Sequence, residues 1–511
     1  MHPSEIFRNA GGSSLAELPC IIDARSGAAF SYADVENLSS RLANHFVTVA
    51  GLKPGNRVLL LADNRVETVL SYFACFHAGL VSIPVHPSVP FDELAVIAKT
   101  LHADLFVSAS DVIAKMKGFS ADALSVPCSY LFERDVTINA LPAVQRLSPQ
   151  SFPYFDEYAL AHIMHSSGTT AEPKAIPLCG GTILRHARMF AEFQRFRTGS
   201  IFYNTLPIAY LGGWYNMVLV PLFASGTIAL DRAFGPETIY RFWDTVRTTG
   251  ATCLWFTPSM LSTLLTIGVD SDENRRYAAE RITWAMSGMA PLPLTVKRSF
   301  ERTFGIPLLQ SYGLSETFLF FSGAPHLDVP EQAIGPLLPG YSARCITAEG
   351  KTAELDEEGE IQVQSSYIFE GYLGQKELSK AAFTEDGFFK TGDLGKFDMP
   401  GNLHITGRIK DVIIKGGLNI SPLEIENILA ELPAIKEVAV VGLPDPLSGE
   451  KILAAIVFNA EKRPLSKHEI REYFQSRVHP LKIPDDVAIL DELPKTSSGK
   501  VQKKELRKRF S

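Results

Sequence analysis

Twice along the chain an apolar run gives way to a stretch with helical spacing and then to another apolar run. That repetition restricts the fold more than any other feature. Val58 to Leu61 is apolar throughout, and Val66, Val69, Leu70, Phe73 and Phe76 then recur at helical intervals. Val81 to Val85 is largely apolar again, Phe91 to Leu101 is amphipathic, and Leu105 to Val107 closes the series. Apolar strands alternating with helices imply a parallel sheet covered on both faces. The alternation returns from Thr227 to Leu309, which predicts an α/β fold with two such layers in one large N-terminal domain. From Gly335 to Thr406 helical periodicity gives way to short strands with glycine turns, the pattern of a small β-barrel.

A smaller α+β unit of about 100 residues, a usual size for a small domain, is expected from Lys410 onward. Ser421-Pro422-Leu423-Glu424 reads as a capping box with proline at the first helical position. Ile425, Ile428, Leu429 and Leu432 continue the helix until Pro433 stops it. Val438 to Val441 and Leu453 to Phe458 read as strands, and Ser466-Lys467-His468-Glu469 opens a second helix to about Arg477. The basic tail from Lys495 to Arg509 predicts a solvated helix face, with Lys500 set apart from it.

The 511 residues carry a net charge of −7, which argues against nucleic acid as the main partner. Cys20, Cys75, Cys128, Cys179, Cys253 and Cys345 lie far apart with no C-x-x-C pair, as expected of reduced thiols without a zinc site. Met1 to Ala10 lacks the basic and apolar regions of a secretory signal. Leu206 to Leu230 is uncharged and long enough to cross a bilayer. Pro207, Gly212, Gly213, Asn216, Pro221 and Gly226 interrupt it, and a buried strand–helix–strand passage lining a pocket fits better. These features predict a cytoplasmic protein, monomer or homodimer, with no membrane span.

Five segments carry chemistry. In His165-Ser166-Ser167-Gly168-Thr169-Thr170-Ala171-Glu172-Pro173-Lys174, small and hydroxylic residues offer donors to phosphate oxygens and Lys174 can neutralise their charge. The spacing is not that of a Walker A loop. Gln310-Ser311-Tyr312-Gly313-Leu314-Ser315-Glu316-Thr317 follows an apolar strand and supplies a ring, a hydroxyl and a carboxylate. Lys390-Thr391-Gly392-Asp393 places a carboxylate in a tight turn. Gly407-Arg408-Ile409-Lys410-Asp411 sits at the expected domain boundary, with Lys415-Gly416-Gly417-Leu418-Asn419 directly after it. Pro494-Lys495-Thr496-Ser497-Ser498-Gly499-Lys500 gives a lysine beside glycine near the C-terminus. Any one of these has a plain structural explanation, as a turn, a helix start or a surface cation.

In this order, from Phe30-Ser31-Tyr32 through Lys500, they closely resemble the adenylate-forming superfamily of acyl-CoA synthetases, aryl-CoA ligases and adenylation domains. The resemblance implies an N-terminal domain, residues 1–409, of two α/β subdomains plus a barrel. A mobile C-terminal domain, residues 410–511, would swing over it on a hinge at Lys410. It implies that a carboxylate attacks the α-phosphate of Mg·ATP to give acyl-AMP and pyrophosphate, and that a thiol then displaces AMP. Ser166, Ser167, Gly168, Thr169, Thr170 and Lys174 would cradle the β- and γ-phosphates. Glu316 would hold Mg²⁺, and Ser315, in place of the family's usual threonine, would aim its hydroxyl at the α-phosphate. Tyr312 would pack against adenine, Asp393 would accept the ribose hydroxyls, and Arg408 would contact ribose or phosphates. Gly288, Met289, Ser311 and Gly313 would complete the nucleotide contacts, and Lys500 would bridge the substrate carboxylate and α-phosphate. Gly416, Gly417 and Asn419 would serve the thiol tunnel. The thiol would be CoA or the phosphopantetheine of an acyl carrier protein, which enter the same tunnel; an enzyme stopping at the adenylate is the other alternative.

Ala171 and Ala175 replace frequent family glycines. Met289 replaces another and should narrow the acyl pocket, and Tyr210 stands where many acyl-CoA ligases have histidine. The expected pocket is Tyr210, Trp214, Tyr215, Met217, Met289, Gly313, Leu314 and Phe318. No acidic residue lies between Thr205 and Asp231 to pair with a substrate ammonium, so an apolar or aromatic acid of small to medium size is expected rather than an amino acid.

Overall fold

Two largely parallel sheets carry the strand–helix alternation. In the computed structural model the described residues are 15–124, 126, 128–132, 148, 156–166, 174–268, 271–459, 462–475, 477–495 and 501–511. The first sheet has six strands in the order Cys128–Phe132, Leu105–Ala109, Arg57–Leu61, Val81–Val85, Leu160–Ser166 and Lys174–Cys179. Its last two strands form an antiparallel hairpin in which Ser166 pairs with Lys174. The hydroxylic run therefore connects the two strands of a hairpin. Helices Val66–Ala78 and Phe91–Thr100 fall where their periodicity predicts.

The second sheet has eight strands: Phe318–Ser322, Leu309–Leu314, Trp284–Ser287, Cys253–Phe256, Ile201–Asn204, Thr227–Leu230, Pro19–Asp23 and Ala29–Ser31. Its interior pairs are parallel and its outermost pairs antiparallel. Because the chain steps from Ile201–Asn204 to one neighbour and returns to build on the other side, the strand order reverses there. Crevices at such a reversal, beyond the carboxyl ends of the strands, are where open α/β sheets bind ligands. One apolar core joins the two layers; Trp214 stacks on Tyr72 with ring centroids 4.0 Å apart and meets Phe73 edge-on.

The uncharged passage departs from the strand–helix–strand expectation. The strand Ile201–Asn204 ends before it, and the passage runs as helix Leu211–Trp214, a π turn Tyr215–Leu219 and helix Val220–Phe223 before strand Thr227–Leu230. A side chain on Gly213 would stand 2.3 Å from the Pro207 carbonyl oxygen, so glycine is required where the chain doubles back. Among the described residues no helix is long and apolar enough to cross a membrane.

Between Tyr341 and Arg408 the chain forms a four-stranded antiparallel sheet, Tyr341–Ile346, Gly359–Ser365, Phe389–Phe397 and Leu403–Arg408. Helical structure does not vanish here, because Lys376–Ala382 is a helix; only Leu378 and Ala382, one turn apart and partly buried, pack against the core, too short a stripe to reveal it.

Residues beyond Val412 have their own sheet, with strands Leu418–Ile420, Ile413–Lys415, Gly449–Phe458 and Ile435–Asp445 in order and Asp486–Ile489 beside Gly449–Phe458. Two apolar clusters belong to this unit alone, one around Ile425, Val440 and Ile456 and one around Val441, Leu453 and Leu506. The second capping box forms: Ser466 Oγ accepts from Glu469 N at 3.2 Å and Glu469 Oε2 accepts from Ser466 N at 2.8 Å. The first does not. Ser421 is the N-cap of helix Pro422–Ala430, but its hydroxyl donates to the Thr406 carbonyl and Glu424 pairs with Lys482. The basic tail is not simply solvated either. Helix Lys503–Phe510 is tied down by Lys503–Glu426 at 2.7 Å and Arg507–Asp411 at 3.0 Å, and Lys495 pairs with Glu437 at 2.6 Å.

Candidate active site

Strand Leu309–Leu314 ends at the crevice, and a tight hairpin returns the chain as Phe318–Ser322. Ser315, Glu316 and Thr317 form its tip. Thr317 Oγ1 accepts from Leu314 N at 3.1 Å and donates to the Phe318 carbonyl at 2.9 Å. Phe318 closes the turn with φ of 53°, the left-handed residue that follows many three-residue hairpin loops. A side chain on Gly313 would stand 2.0 Å from the Phe318 carbonyl oxygen, so only glycine permits this return. The hydroxyl of Ser315 and the carboxylate of Glu316 are thereby presented, half-buried, on a rigid tip.

Beneath the tip lies an aromatic platform. His186, fully buried on helix Gly180–Gln194, stacks on Phe318 with centroids 5.0 Å apart and donates from Nε2 to the Leu319 carbonyl at 2.8 Å. Its Nδ1 is then left to accept the Tyr215 hydroxyl. Burial pushes the imidazole down to about 3, so it is neutral. Tyr341 donates its hydroxyl to the Thr317 carbonyl at 2.6 Å.

Two polar clusters flank the hairpin. On one side Lys174 Nζ lies 4.9 Å from the ring centroid of Tyr372, whose hydroxyl donates to Glu316 Oε1 at 3.0 Å. Phe369 N donates to the Glu316 carbonyl, and Leu373 N to that of Ala175, both at 2.9 Å. Burial first, then the Glu316 charge, raises the Tyr372 hydroxyl and keeps it a donor. In the other cluster Asp393 lies within strand Phe389–Phe397, paired with Arg408, and not in the tight turn expected. Tyr312 donates to its Oδ2 at 2.7 Å, while Arg408 Nε meets its Oδ1 at 2.9 Å. Burial, then Asp393, likewise holds the Tyr312 hydroxyl protonated.

The strand preceding Gly288 and Met289, Trp284–Ser287, runs parallel to Leu309–Leu314 and ends at the same crevice. Met289 adopts φ of 69°. A side chain on Gly288 would stand 2.9 Å from Ser311 Oγ, and one on Gly212 would stand 2.5 Å from Met289 Sδ. Met289 thus packs onto the bare backbone of Gly212. Tyr210 caps helix Leu211–Trp214 and stacks on His86, with centroids 5.7 Å apart and planes 11° from parallel.

The expected pocket is narrower than its residues suggested. Tyr210, Met289, Gly313 and Leu314 are half-buried at the crevice. Trp214, Tyr215 and Met217 are fully buried core, Trp214 against Tyr72 and Tyr215 on His186. Phe318, 3% exposed, is part of the platform. Ser167, Gly168, Thr169, Thr170 and Lys500 lie outside the described residues. Lys410 is exposed in the short 3₁₀ turn Ile409–Asp411. Gly416 and Gly417, with φ of 58° and 81°, form the exposed turn before Leu418 and Asn419.

Tyr372, His186 and His86 went unread from sequence. Nothing local marks Tyr372, which joins Glu316 across 56 positions. His186 lies in a helix whose apolar stripe disguises it.

Among the described residues no three His, Cys, Asp or Glu side chains group into a metal cage. A lone carboxylate beside a lysine suits Mg²⁺, which keeps its waters and binds through one or two carboxylates and its substrate's phosphates.

The AMP-binding enzyme family matches residues 9–373, and the AMP-binding enzyme C-terminal domain matches residues 424–500. The sulfoacetate–CoA ligase of Cupriavidus necator is 29% identical, with 96% of this chain and 94% of the relative covered. The indoleacetate–CoA ligase of Aromatoleum aromaticum is 30% identical, with 93% and 92% covered. The crystal structure of ATP-bound MatB from Rhodopseudomonas palustris superposes with a TM-score of 0.89 at 28% identity, covering 100% of this chain and 99% of that one. Alike in fold and over nearly its whole length, the chain belongs to the AMP-binding enzymes of the adenylate-forming superfamily.

Proposed function

We propose that this protein is a cytoplasmic ATP-dependent ligase that converts a carboxylic acid to its acyl-adenylate and passes the acyl group to CoA. The observation that carries the reading is the convergence on one hairpin of a cation–carboxylate cluster, Lys174 and Glu316, and a carboxylate–guanidinium cluster, Asp393 and Arg408. A nucleoside triphosphate needs both: donors and cations for its phosphates, and an acceptor for its ribose hydroxyls.

In this reading Lys174, with the hydroxylic loop beside it, neutralises the β- and γ-phosphates. Each Asp393 oxygen keeps a lone pair beyond those taken by Tyr312 and Arg408, and accepts a ribose hydroxyl. The Tyr312 ring lies against adenine. Ser315 turns its hydroxyl to the α-phosphate, where charge gathers as the substrate carboxylate attacks. Mg²⁺ carried by Glu316 would offset phosphate charge and favour departure of pyrophosphate. Lys500 holds the two anions together, and the Gly416–Asn419 turn takes its place for the thiol step after rotation about Lys410.

The relatives named above act on sulfoacetate and indoleacetate, acids with little in common, so the substrate is argued from the pocket. Tyr210, Met289 and Leu314 offer an apolar wall without an acidic partner for an ammonium, which favours an apolar or aromatic acid of small to medium size. The test is pyrophosphate release against aryl, short, medium and long-chain acids and free α-amino acids, each with CoA, with a phosphopantetheinylated carrier protein, or with neither. Release with aryl or medium-chain acids and thioester formation only with CoA is expected. Exchange with an α-amino acid alone would refute the pocket, and thioester only on the carrier would refute CoA as acceptor.

A further inference from the structure

Lys174 and Glu316, of opposite charge, meet one aromatic residue, the lysine at its ring face and the carboxylate at its hydroxyl. Lys174 Nζ sits over the Tyr372 ring at 4.9 Å, and the Tyr372 hydroxyl donates to Glu316 Oε1 at 3.0 Å. Among the described residues no ion pair joins the two. Direct pairing would occupy both groups and leave neither for a phosphate or a metal ion. The ring itself is fixed, edge-on to Phe369 at 4.9 Å, in the segment that also binds the Glu316 and Ala175 backbones.

We propose that Tyr372 is a positioning residue that keeps the phosphate-binding lysine and the metal-binding carboxylate apart, each poised for its own ligand. The ring face holds the ammonium by a cation–π contact. The hydroxyl takes one lone pair of Oε1 and draws its charge, which would leave Oε2 the favoured oxygen for a metal ion. Single-oxygen ligation suits Mg²⁺, which demands near-octahedral geometry, whereas Ca²⁺ accepts both oxygens of a carboxylate. Tyr372 thereby also sets metal preference. This rests on the roles given to Lys174 and Glu316 above.

Three variants test it: Tyr372→Phe, Tyr372→Leu and, as control, Glu316→Gln. Mn²⁺ binding is read by electron paramagnetic resonance with a non-hydrolysable ATP analogue present, Mg²⁺ and Ca²⁺ are read by competition, and metal-free analogue binding is read by calorimetry. Tyr372→Phe keeps the ring and its packing, so its melting temperature should match the wild type. Its Mn²⁺ affinity should fall about tenfold, the low end of what loss of a hydrogen-bonded partner behind a metal ligand costs. Its Mg²⁺ preference over Ca²⁺ should shrink, and its metal-free analogue binding should be unchanged. Tyr372→Leu should lose metal-free binding as well, because Lys174 is then free to pair with Glu316. A Tyr372→Phe protein with wild-type Mn²⁺ affinity and Mg²⁺ preference would overturn the proposal, provided Glu316→Gln abolishes Mn²⁺ binding. Wild-type Mn²⁺ binding in Glu316→Gln would instead overturn the metal role of Glu316, and this inference with it.

Discussion

Met289 packs against Gly212 at the expense of its own backbone. Its φ of 69° lies in the left-handed region, which disfavours a methionine by about 1–2 kcal/mol. Glycine relieves that strain but gives up part of a half-buried thioether, and the two effects nearly cancel. Met289→Gly should therefore leave the melting temperature within a few degrees of wild type while extending the range of accepted acids. Gly212→Ala acts on the same contact from the other side, because its methyl group would stand 2.5 Å from Met289 Sδ and the methionine side chain must shift. The double variant should recover activity that Gly212→Ala loses, a non-additivity expected only of side chains in contact. Additive losses would place the pocket wall elsewhere. Lys500→Ala should fold and bind ATP normally yet slow adenylate formation by two to four powers of ten, roughly 3–5 kcal/mol of transition-state stabilisation. Thioester formation from pre-formed acyl-AMP should be nearly unaffected. Equal loss in both half-reactions would remove Lys500 from its assigned role. Both residues stood out in the sequence because they interrupt or complete short patterns; Tyr372 does neither.

Two serines followed three residues later by glutamate had the same local sequence logic, and only one became a capping box. Ser466 stands alone at the start of its helix, so local hydrogen bonds decide its conformation. Ser421 lies against strand Leu403–Arg408, where its hydroxyl finds the Thr406 carbonyl at 2.5 Å, and Glu424 finds Lys482. A side chain on Gly407 would stand 2.9 Å from Ser421 Oγ, so glycine lets this helix start approach. Between these elements lies the Ile409–Asp411 turn, anchored through Asp411 to Arg507 but exposed at Lys410. Proline at position 410 fixes φ near −65° and removes a donor. If this turn is the hinge, Lys410→Pro should retain pyrophosphate release and lose thioester formation. Normal thioester turnover in that variant would place the hinge at another turn.

Two imidazoles locked inside the fold make the whole molecule sensitive to acid. His186 and His162 are both held neutral by burial, each pushed down from 6.5 to about 3. Between those values the unfolded chain binds more protons than the folded one, so stability rises with pH across that window. The contribution is complete above about 6.5 and is lost as pH falls toward 3. Urea unfolding from pH 7 to 4.5 should show a steeper loss of stability in the wild type than in His186→Gln. Parallel curves would mean that His186 is not held neutral in the folded protein. The sequence by itself determined the α/β layers, the separate C-terminal unit, the order of the site segments and the absence of an acidic partner in the apolar passage, because periodicity, turn residues and charge are local properties. Only the tertiary structure decided which aromatic residues face the crevice and which are core. Trp214 and Tyr215 are chemically suited to either place, and Tyr72 and His186, which claim them, come from distant helices. It likewise decided that Lys174 and Glu316 share Tyr372, since that contact exists only once three separate stretches of backbone have been hydrogen-bonded together.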